Sequence, residues 1–277
     1  MAKGQNYATL RTGSRIKNSF SMKKNTFKYY YNLIKEFSWA DFKLKYYGSI
    51  LGLFWSFLKP FLMLFILYIV FGLFFKSGIK NFHIYLLLGI AIWNFFADGT
   101  KAGLQTIASK KNIMQNVKIS PLAVVTSAIW HSFWTFIITL VVFFIIFFAS
   151  GLTLGVNVVF LLYFVFLLLI FVLGTSFLIT PLHMKFRDFE HIWDVLIQML
   201  FWLSPIVYAE KLVSSSYLKW YMLNPLSRIV VDMRNIVIYQ FLPEPKQIVI
   251  TTVLVLTIFF VGLHIFKKHG RALLENL

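Results

Sequence analysis

Long apolar runs separated by short charged stretches make up most of the chain from Leu53 onward. A membrane-spanning helix needs about 20 consecutive, mainly apolar residues, and several of these runs reach that length. The second run is apolar only over residues 84–97, so it has to continue through Asp98 and Lys101 to cross. The pattern predicts an all-α membrane protein with six transmembrane helices. The predicted spans cover about residues 53–75, 84–107, 122–149, 156–181, 192–207 and 247–266.

The chain before the first span divides into two parts. Residues 1–25 are basic and polar with little to pack, and we expect them to form a mobile cytoplasmic tail. In residues 26–50, apolar and aromatic side chains recur at helical spacing with charged residues between them. This predicts an amphipathic interface helix on the inner membrane surface, because anionic lipids attract such basic, aromatic helices. A soluble helix packed on a partner is the alternative.

The composition agrees with a membrane protein. Hydrophobic residues make up 59% of the 277 residues and aromatic residues 19%, which is more than a soluble core requires. The net charge of +17 raises the alternative of nucleic-acid binding, but the basic residues flank apolar runs rather than covering a folded domain. Cysteine is absent, which excludes disulfides, thiolate metal sites and a thiol nucleophile.

The distribution of Lys and Arg predicts the orientation of the spans. With six crossings, eighteen of these residues fall on the side of the two termini and seven on the other side. Cytoplasmic loops carry the excess of basic residues in membrane proteins. Both termini are therefore predicted to be cytoplasmic.

The segment between the fifth and sixth predicted spans, residues 204–245, stays apolar although it is predicted to lie outside. Pro205 and Pro225 interrupt it, and it is too short to cross twice. We interpret it as a re-entrant helical hairpin in the outer leaflet, because interrupted backbone is tolerated there only against protein or water. Two helices lying flat on the outer surface are the alternative.

Few residues within the predicted spans have side chains that could form an ion pair, transfer a proton or bind a metal. Asp98 and Lys101 lie three positions apart and can pair on one helix face, which would lower the cost of placing charges in the membrane. A proton relay using Asp98 and His131 is the alternative, although a histidine in a span more often bonds a neighbouring helix. Metal binding by residues 183–191 is disfavoured because cationic side chains stand among its acidic and histidine residues.

Aromatic side chains are the other group in the predicted spans that could contact a substrate. Flat apolar rings can stack on the C–H faces of sugars without binding one unit tightly, which would suit a conduit for a sugar polymer. Most aromatic residues in spans nevertheless form interfacial belts or pack in the core. The rings available for such a conduit include Trp93, Phe95, Phe96, Trp130, Trp134, Trp202 and Tyr208.

Four motifs resemble the permease subunits of type-2 ABC exporters for O-antigen, capsule or teichoic acid polymers. They are Tyr47 to Trp55 with Pro60, the Arg187-Asp188 loop, Ser204-Pro205-Ile206 and Asn224-Pro225. The resemblance covers about residue 26 to the C-terminus. It implies a pore made by two copies of this chain, two copies of a separate ATPase subunit that bind ATP and Mg, and a lipid-linked polymer as substrate.

The resemblance also implies roles for particular residues. Two cytoplasmic loops, around residues 107–120 and 183–191, would dock on the ATPase through Lys110, Lys111, Lys118, Lys185, Arg187, Asp188 and Glu190. The channel or its exit would be lined by Trp93, Phe96, Trp202, Tyr208, Tyr217, Trp220, Tyr221 and Arg228. If the segment between the fifth and sixth spans re-enters the membrane, three further basic residues would stand near the exit and guide a phosphate-bearing polymer or bind lipid headgroups: Lys211, Lys219 and Arg234.

The sequence therefore predicts a permease of the bacterial cytoplasmic membrane that exports a lipid-linked polysaccharide or teichoic acid polymer with a partner ATPase. None of the 14 glycines precedes a lysine, so a phosphate-binding loop is missing, and the chain is expected to have no catalytic residue, cofactor or metal of its own. Its other expected partners are membrane lipids, and nucleic acid is not among them. The rivals are a membrane enzyme acting on a lipid-linked sugar, and an ion-coupled transporter that needs no ATPase.

Overall fold

Ten α-helices account for most of the computed structural model, which describes residues 26–46, 52–76, 78–116, 119–186 and 188–275. No strand occurs within these ranges. The prediction of an all-helical protein is confirmed for this part of the chain. The helices are α1 (Thr26–Tyr46), α2 (Trp55–Leu67), α3 (Phe82–Ser109), α4 (Lys111–Asn116), α5 (Pro121–Ala149), α6 (Val159–Lys185), α7 (Phe189–Trp202), α8 (Ser215–Tyr221), α9 (Pro225–Val237) and α10 (Pro245–Glu275).

Four segments in the described ranges are both long enough and apolar enough to cross a membrane. They are Phe82–Ser109, Pro121–Ala149, Val156–Lys185 and Pro245–His269, and they contain the predicted second, third, fourth and sixth spans. The protein is therefore a multi-pass membrane protein.

The predicted first and fifth spans correspond to shorter helices. In the first, α2 continues into a π-helical stretch over Tyr68–Phe74, and its apolar part, Pro60–Phe74, falls short of a full span. In the fifth, α7 ends at Trp202 although the apolar pattern continues to Val207. Pro205 has no backbone N–H for a helical hydrogen bond, which agrees with the series of turns that follows α7.

Helix α3 lies at the centre of the bundle, and α5, α6, α7 and α9 pack around it. Most of its side chains are buried, from Phe82 near one end to Ile107 near the other. Helix α10 packs mainly on α6, where two glycines let the backbones approach closely. A Cβ atom on Gly174 would lie 2.6 Å from the Cα atom of Phe259, so a larger residue would force these helices apart.

The predicted interface helix is helical over Thr26–Tyr46 and packs along α5. The buried Ser38 hydroxyl donates a 2.8 Å hydrogen bond to the backbone oxygen of Ser127, which fixes the two helices to each other. The predicted tail, residues 1–25, and the predicted end of this helix, residues 47–50, lie outside the described residues.

Different loops and helix ends meet at the two ends of the bundle. At one end, the Lys110 amine lies 4.9 Å from the centre of the Phe37 ring, so the turn after α3 meets α1. At the other end, His83 bonds Ser150 at 3.1 Å, and the Gln240 side chain donates to the backbone oxygen of Thr153 at 2.7 Å. The loops that the sequence predicts to share a side of the membrane thus lie together.

Candidate functional site

Two polar stripes face each other inside the bundle, one on α3 and one on α5. Their members recur three or four positions apart, which places them on one face of each helix. The stripe on α3 consists of Asn94, Asp98, Lys101 and Gln105, and the stripe on α5 of His131, Ser132, Thr135 and Thr139.

These stripes line a cavity of about 600 Å³, the central cavity, which α2 borders on its third side. Aromatic rings complete its wall: Trp55 from α2, Phe95 from α3 and Phe136 from α5. Polar side chains at membrane depth are costly unless they have partners or face water or a substrate. The central cavity is thus the place within the described bundle where hydroxyl, amide and aromatic groups converge.

One charged group of the central cavity, the Lys101 amine, is held by α7. Lys101 Nζ donates to both carboxylate oxygens of Asp194, at 2.7 and 2.8 Å. The partner of Lys101 is therefore Asp194 and not Asp98, so the pairing predicted from the spacing is wrong. Helix α7 brings Asp194 to α3 from 93 residues along the chain, a proximity that spacing within one helix cannot reveal.

A second polar contact joins the same two helices one turn away. The Gln105 side chain donates to a carboxylate oxygen of Glu190 at 2.6 Å. Because Gln105 follows Lys101 by four positions and Asp194 follows Glu190 by four, the two contacts form a ladder with two rungs between α3 and α7. We call it the α3–α7 ladder. It links the wall of the central cavity to the first two turns of α7, next to the loop that precedes this helix.

Another cavity, of about 620 Å³, adjoins the first at the end of the bundle where α1 lies, and we call it the loop-side cavity. The two share Ala102, Gln105 and His131 in their walls, so they adjoin along these residues. The loop-side cavity is also lined by Lys110 and Glu190. The two loops that the sequence predicts to dock on a partner therefore converge at the same opening.

The predicted docking residues lie mostly at the surface of that end. Glu190 and Lys110 are partly buried at the loop-side cavity, whereas Lys111, Lys185 and Asp188 are exposed. Lys118 and Arg187 lie outside the described residues. Their role in docking stays a prediction. No group of three or more metal-binding side chains occurs in the part of the chain that the structure describes.

The predicted channel aromatics fall into two sets. Trp93 and Phe96 are buried between helices, with Trp93 against Phe201 at 5.4 Å between ring centres and Phe96 stacked on Phe171 at 5.2 Å. Trp202, Tyr217 and Trp220 are exposed, and Tyr208, Tyr221 and Arg228 are partly buried. Their contact with a substrate stays a prediction.

The apolar segment after α7 is fastened to the bundle by Arg234. This residue was expected near an exit with its charge exposed, but its side chain is only 2% exposed, so that expectation is wrong. Its guanidinium donates to the backbone oxygens of Tyr85, Pro205 and Ile206 and lies 3.4 Å from the centre of the Tyr85 ring. It thus joins α3, α9 and the turn at Pro205.

Several other polar groups of this segment bond one another or α3. The Tyr85 hydroxyl donates to the backbone oxygen of Tyr208 at 2.9 Å, and Tyr221 donates to the Tyr208 hydroxyl at 3.2 Å. Asn224 caps α9 by accepting from the Leu226 backbone N–H, and its amide donates to Ser204. The interrupted backbone at the two prolines is therefore satisfied largely by protein groups.

Sequence reasoning singled out Asp98, Lys101 and His131 but missed the rest of the two stripes. The signal that could have found them is the recurrence of polar residues every three or four positions within α3 and α5. No such signal exists for Asp194 and Glu190, because their partners are 93 and 85 residues away.

A bundle of membrane-crossing helices with a polar cavity among them is typical of membrane transport proteins. Residues 32–238, most of the chain, match the ABC-2 type transporter family. The chain belongs to this family, as the resemblance of its motifs indicated.

Curated relatives align over nearly the whole chain. An O-antigen export system permease protein RfbA from Myxococcus xanthus is 22% identical over 239 residues, which cover 86% of this chain and 92% of the relative. Two O-antigen export system permease proteins RfbA from Klebsiella pneumoniae are each 26% identical, over 252 and 257 residues, covering 90% of this chain and 96% of the relative.

Proposed function

We propose that this chain is the permease subunit of an ATP-driven ABC transporter that exports a lipid-linked polysaccharide across the cytoplasmic membrane. Membership of the ABC-2 family and the export function named for its relatives support the class. The observation that carries the proposal in the structure is the central cavity, with its two polar stripes at membrane depth.

The lining of the central cavity suits sugar units. Hydroxyl and amide side chains such as Ser132, Thr135 and Asn94 can exchange hydrogen bonds with sugar hydroxyls. Phe95 and Phe136 offer flat apolar faces beside them. Groups of this kind bind each sugar unit weakly, so a polymer can advance by one unit without first having to dissociate from a tight binding site. The same chemistry is compatible with capsule or teichoic acid polymers, so O-antigen is one member of the proposed class.

The energy would come from a separate ATPase, with ATP and Mg bound there. We place its docking surface at the loops that meet at the loop-side cavity, through Lys110, Lys111, Lys185, Asp188 and Glu190. Of these, Glu190 bonds Gln105 in the α3–α7 ladder, so a movement of its loop would reach the wall of the central cavity. This supplies a short physical route from the ATPase to the conduit.

The complete topology belongs to the same proposal. We propose six crossings, with α2 and α7 as the first and fifth, both termini cytoplasmic, and α8 and α9 re-entering the outer leaflet. The grouping of the loops at the two ends of the bundle supports this arrangement. The bonds that Arg234 makes to Pro205 and Ile206 favour re-entry over a loose surface position, because they satisfy backbone where lipid would not.

A second copy of the chain completes the proposed transporter. Helix α7 buries Trp193 and Phe201 but exposes the apolar side chains of Val195 and Met199 on its other side. Phe65 in α2 is likewise exposed. Such faces are expected where two copies enclose one pore, although lipid contact satisfies them too.

Filling the central cavity tests the proposal. Thr135→Phe places a ring where a substrate unit would pass, and we expect polymer export to fall at least tenfold while the partner ATPase still co-purifies. Thr257→Phe makes the same change at an exposed threonine of α10 and should leave export intact. Surface polymer and the co-purified ATPase are measured in the same cells.

Three outcomes would contradict the proposal. Normal export by Thr135→Phe would show that the central cavity is not the path. Export that persists without any ATPase subunit would favour the ion-coupled transporter. A chemical change in the lipid-linked sugar made by the purified chain alone would favour the membrane enzyme.

A further inference from the structure

An apolar groove of about 540 Å³ runs between α1 and α5, on the outside of the bundle and apart from the central cavity. Side chains from both helices form its walls: Ile34 and Trp39 from α1, and Trp130, Trp134 and Ile138 from α5. We call it the α1–α5 groove.

The two hydroxyl groups in the walls of the groove need no hydrogen bond from an occupant. Ser38 donates to the backbone oxygen of Ser127, and the Thr126 hydroxyl donates to the Leu122 backbone oxygen of its own helix at 2.8 Å. Both hydroxyls are thus satisfied without a ligand. The rings of Trp39 and Trp134 are 56% and 51% exposed, so an apolar occupant would cover large apolar surfaces.

The dimensions of the groove fit a single hydrocarbon chain. From Thr126 to Ile138, α5 rises about 18 Å, which is close to the half-thickness of about 15 Å for the bilayer core. The volume of 540 Å³ leaves room for one chain of a lipid.

Positive charge lies on the α1 side of the groove. Lys35 is exposed and lines the groove, and the Lys43 amine lies 5.2 Å from the centre of the Trp39 ring. Glu36 is exposed but does not line the groove. A headgroup seated between these lysines would need to carry negative charge, and the anionic lipids of the cytoplasmic leaflet do so.

We propose that the α1–α5 groove binds one anionic phospholipid of the cytoplasmic leaflet, with an acyl chain between the tryptophans and its phosphate beside Lys35. The proposal rests on the proposed topology, which puts α1 and the start of α5 at the cytoplasmic face. The lipid would fill the gap between two helices that are joined inside by the Ser38 bond, and would thereby hold α1 against the bundle beside the docking surface.

Native mass spectrometry of the purified full-length permease tests this directly. Phosphatidylglycerol is expected to remain bound as one adduct, and phosphatidylcholine is not. Lys35→Gln should weaken the phosphatidylglycerol adduct about fivefold, as expected for one juxtamembrane lysine. Trp134→Ala should weaken it as well, because it removes one wall of the groove. Lys246→Gln and Trp202→Ala are the matched controls, since they change an exposed lysine and a tryptophan of similar exposure elsewhere, and both should keep the adduct.

Position is tested with a phosphatidylglycerol that carries a photoreactive group in its acyl chain. Crosslinks should fall on residues 34–39 and 130–138, and Lys35→Gln, a surface change that leaves the fold intact, should reduce them. Equal crosslinking in Lys35→Gln and the wild type would overturn the proposal. So would equal retention of phosphatidylcholine.

An isoprenoid phosphate serves as the competitor. If it displaces phosphatidylglycerol and binds more tightly, the groove holds the lipid carrier of the polymer and the proposed occupant is wrong. Since binding is read without transport, a failure here leaves the proposed export function standing. A failed export assay with intact lipid binding would have the opposite meaning.

Discussion

Arg234 shows at the scale of one residue why the turn at Pro205 can be buried. The proline removes a backbone donor, and the carbonyl oxygens around it need partners that lipid cannot give. The guanidinium supplies several donors in a fixed geometry and meets the carbonyls of Pro205, Ile206 and Tyr85 together. A single side chain therefore satisfies backbone in two separate parts of the chain.

Loss of Arg234 should destabilise the protein strongly. Arg234→Leu leaves the buried carbonyl groups of Pro205 and Ile206 unpaired, at about 1–3 kcal/mol each, so we expect a loss of at least about 2 kcal/mol in the free energy of unfolding. Gly89→Ala tests the same contact from the other side, because a Cβ atom there would overlap the guanidinium. Denaturant titration in detergent measures both variants and their combination.

The combined variant should cost little more than Arg234→Leu alone, because both changes disrupt one contact. Lys211→Ala, at an exposed position of the same segment, should stay within about 0.5 kcal/mol of the wild type. Additive losses for Gly89→Ala and Arg234→Leu would show that Arg234 does not act through this site.

Much of the central cavity can be predicted from the sequence at this scale, and the rest cannot. The positions 94, 98, 101 and 105 show their common face by spacing alone. The partner of Lys101 depends on how α7 packs against α3, which is a property of the tertiary structure. The same limit explains Arg234, because nothing near it in sequence indicates that Pro205 and Tyr85 lie beside it.

At the scale of elements, α7 is a short helix with a small contact surface to the bundle. It is 14 residues long, buries mainly Trp193 and Phe201, and exposes much of its apolar surface. The apolar pattern predicted a longer span because hydrophobic residues continue past Trp202, where the helix ends before Pro205. Its polar contacts with α3 are the two rungs of the α3–α7 ladder and a 3.2 Å hydrogen bond from the Trp193 indole to the Thr100 hydroxyl. The rungs carry the charged groups, so they are the contacts that a charge exchange can test.

Exchanging the charges of one rung tests whether the ladder transmits movement. Lys101→Asp places a carboxylate against Asp194, and we expect export to fall several-fold because α7 is pushed from α3. Adding Asp194→Lys restores an attractive pair and should recover most of the export. The stability change should be small, about 0–1 kcal/mol, because both side chains are more than a third exposed.

The readout is polymer export together with ATP hydrolysis by the complex. In Lys101→Asp, hydrolysis should continue while export falls, since the docking surface is intact. If the exchanged pair stays as defective as Lys101→Asp, then Lys101 acts by touching the substrate in the central cavity and not by holding α7.

At the scale of the whole molecule, charge and packing give independent indications of orientation. Eighteen of the 25 Lys and Arg residues assigned to loops and termini lie on the side of the termini in the six-span arrangement. The structure groups α1, the turn after α3 and the start of α7 at one end of the bundle. Sequence thus predicts which loops share a side, while the loops' mutual contacts require the folded bundle.

Labelling of introduced cysteines can establish the orientation, because the chain has no cysteine of its own. In intact cells, an impermeant thiol reagent should label Ser215→Cys at the start of α8 and leave Asn18→Cys unlabelled until the membrane is opened. The reason is the positive-inside rule, which keeps the basic N-terminal region in the cytoplasm. Labelling of Asn18→Cys but not Ser215→Cys would reverse the topology. It would also put the loop-side cavity out of reach of a cytoplasmic ATPase, so the coupling route through Glu190 would fail with it.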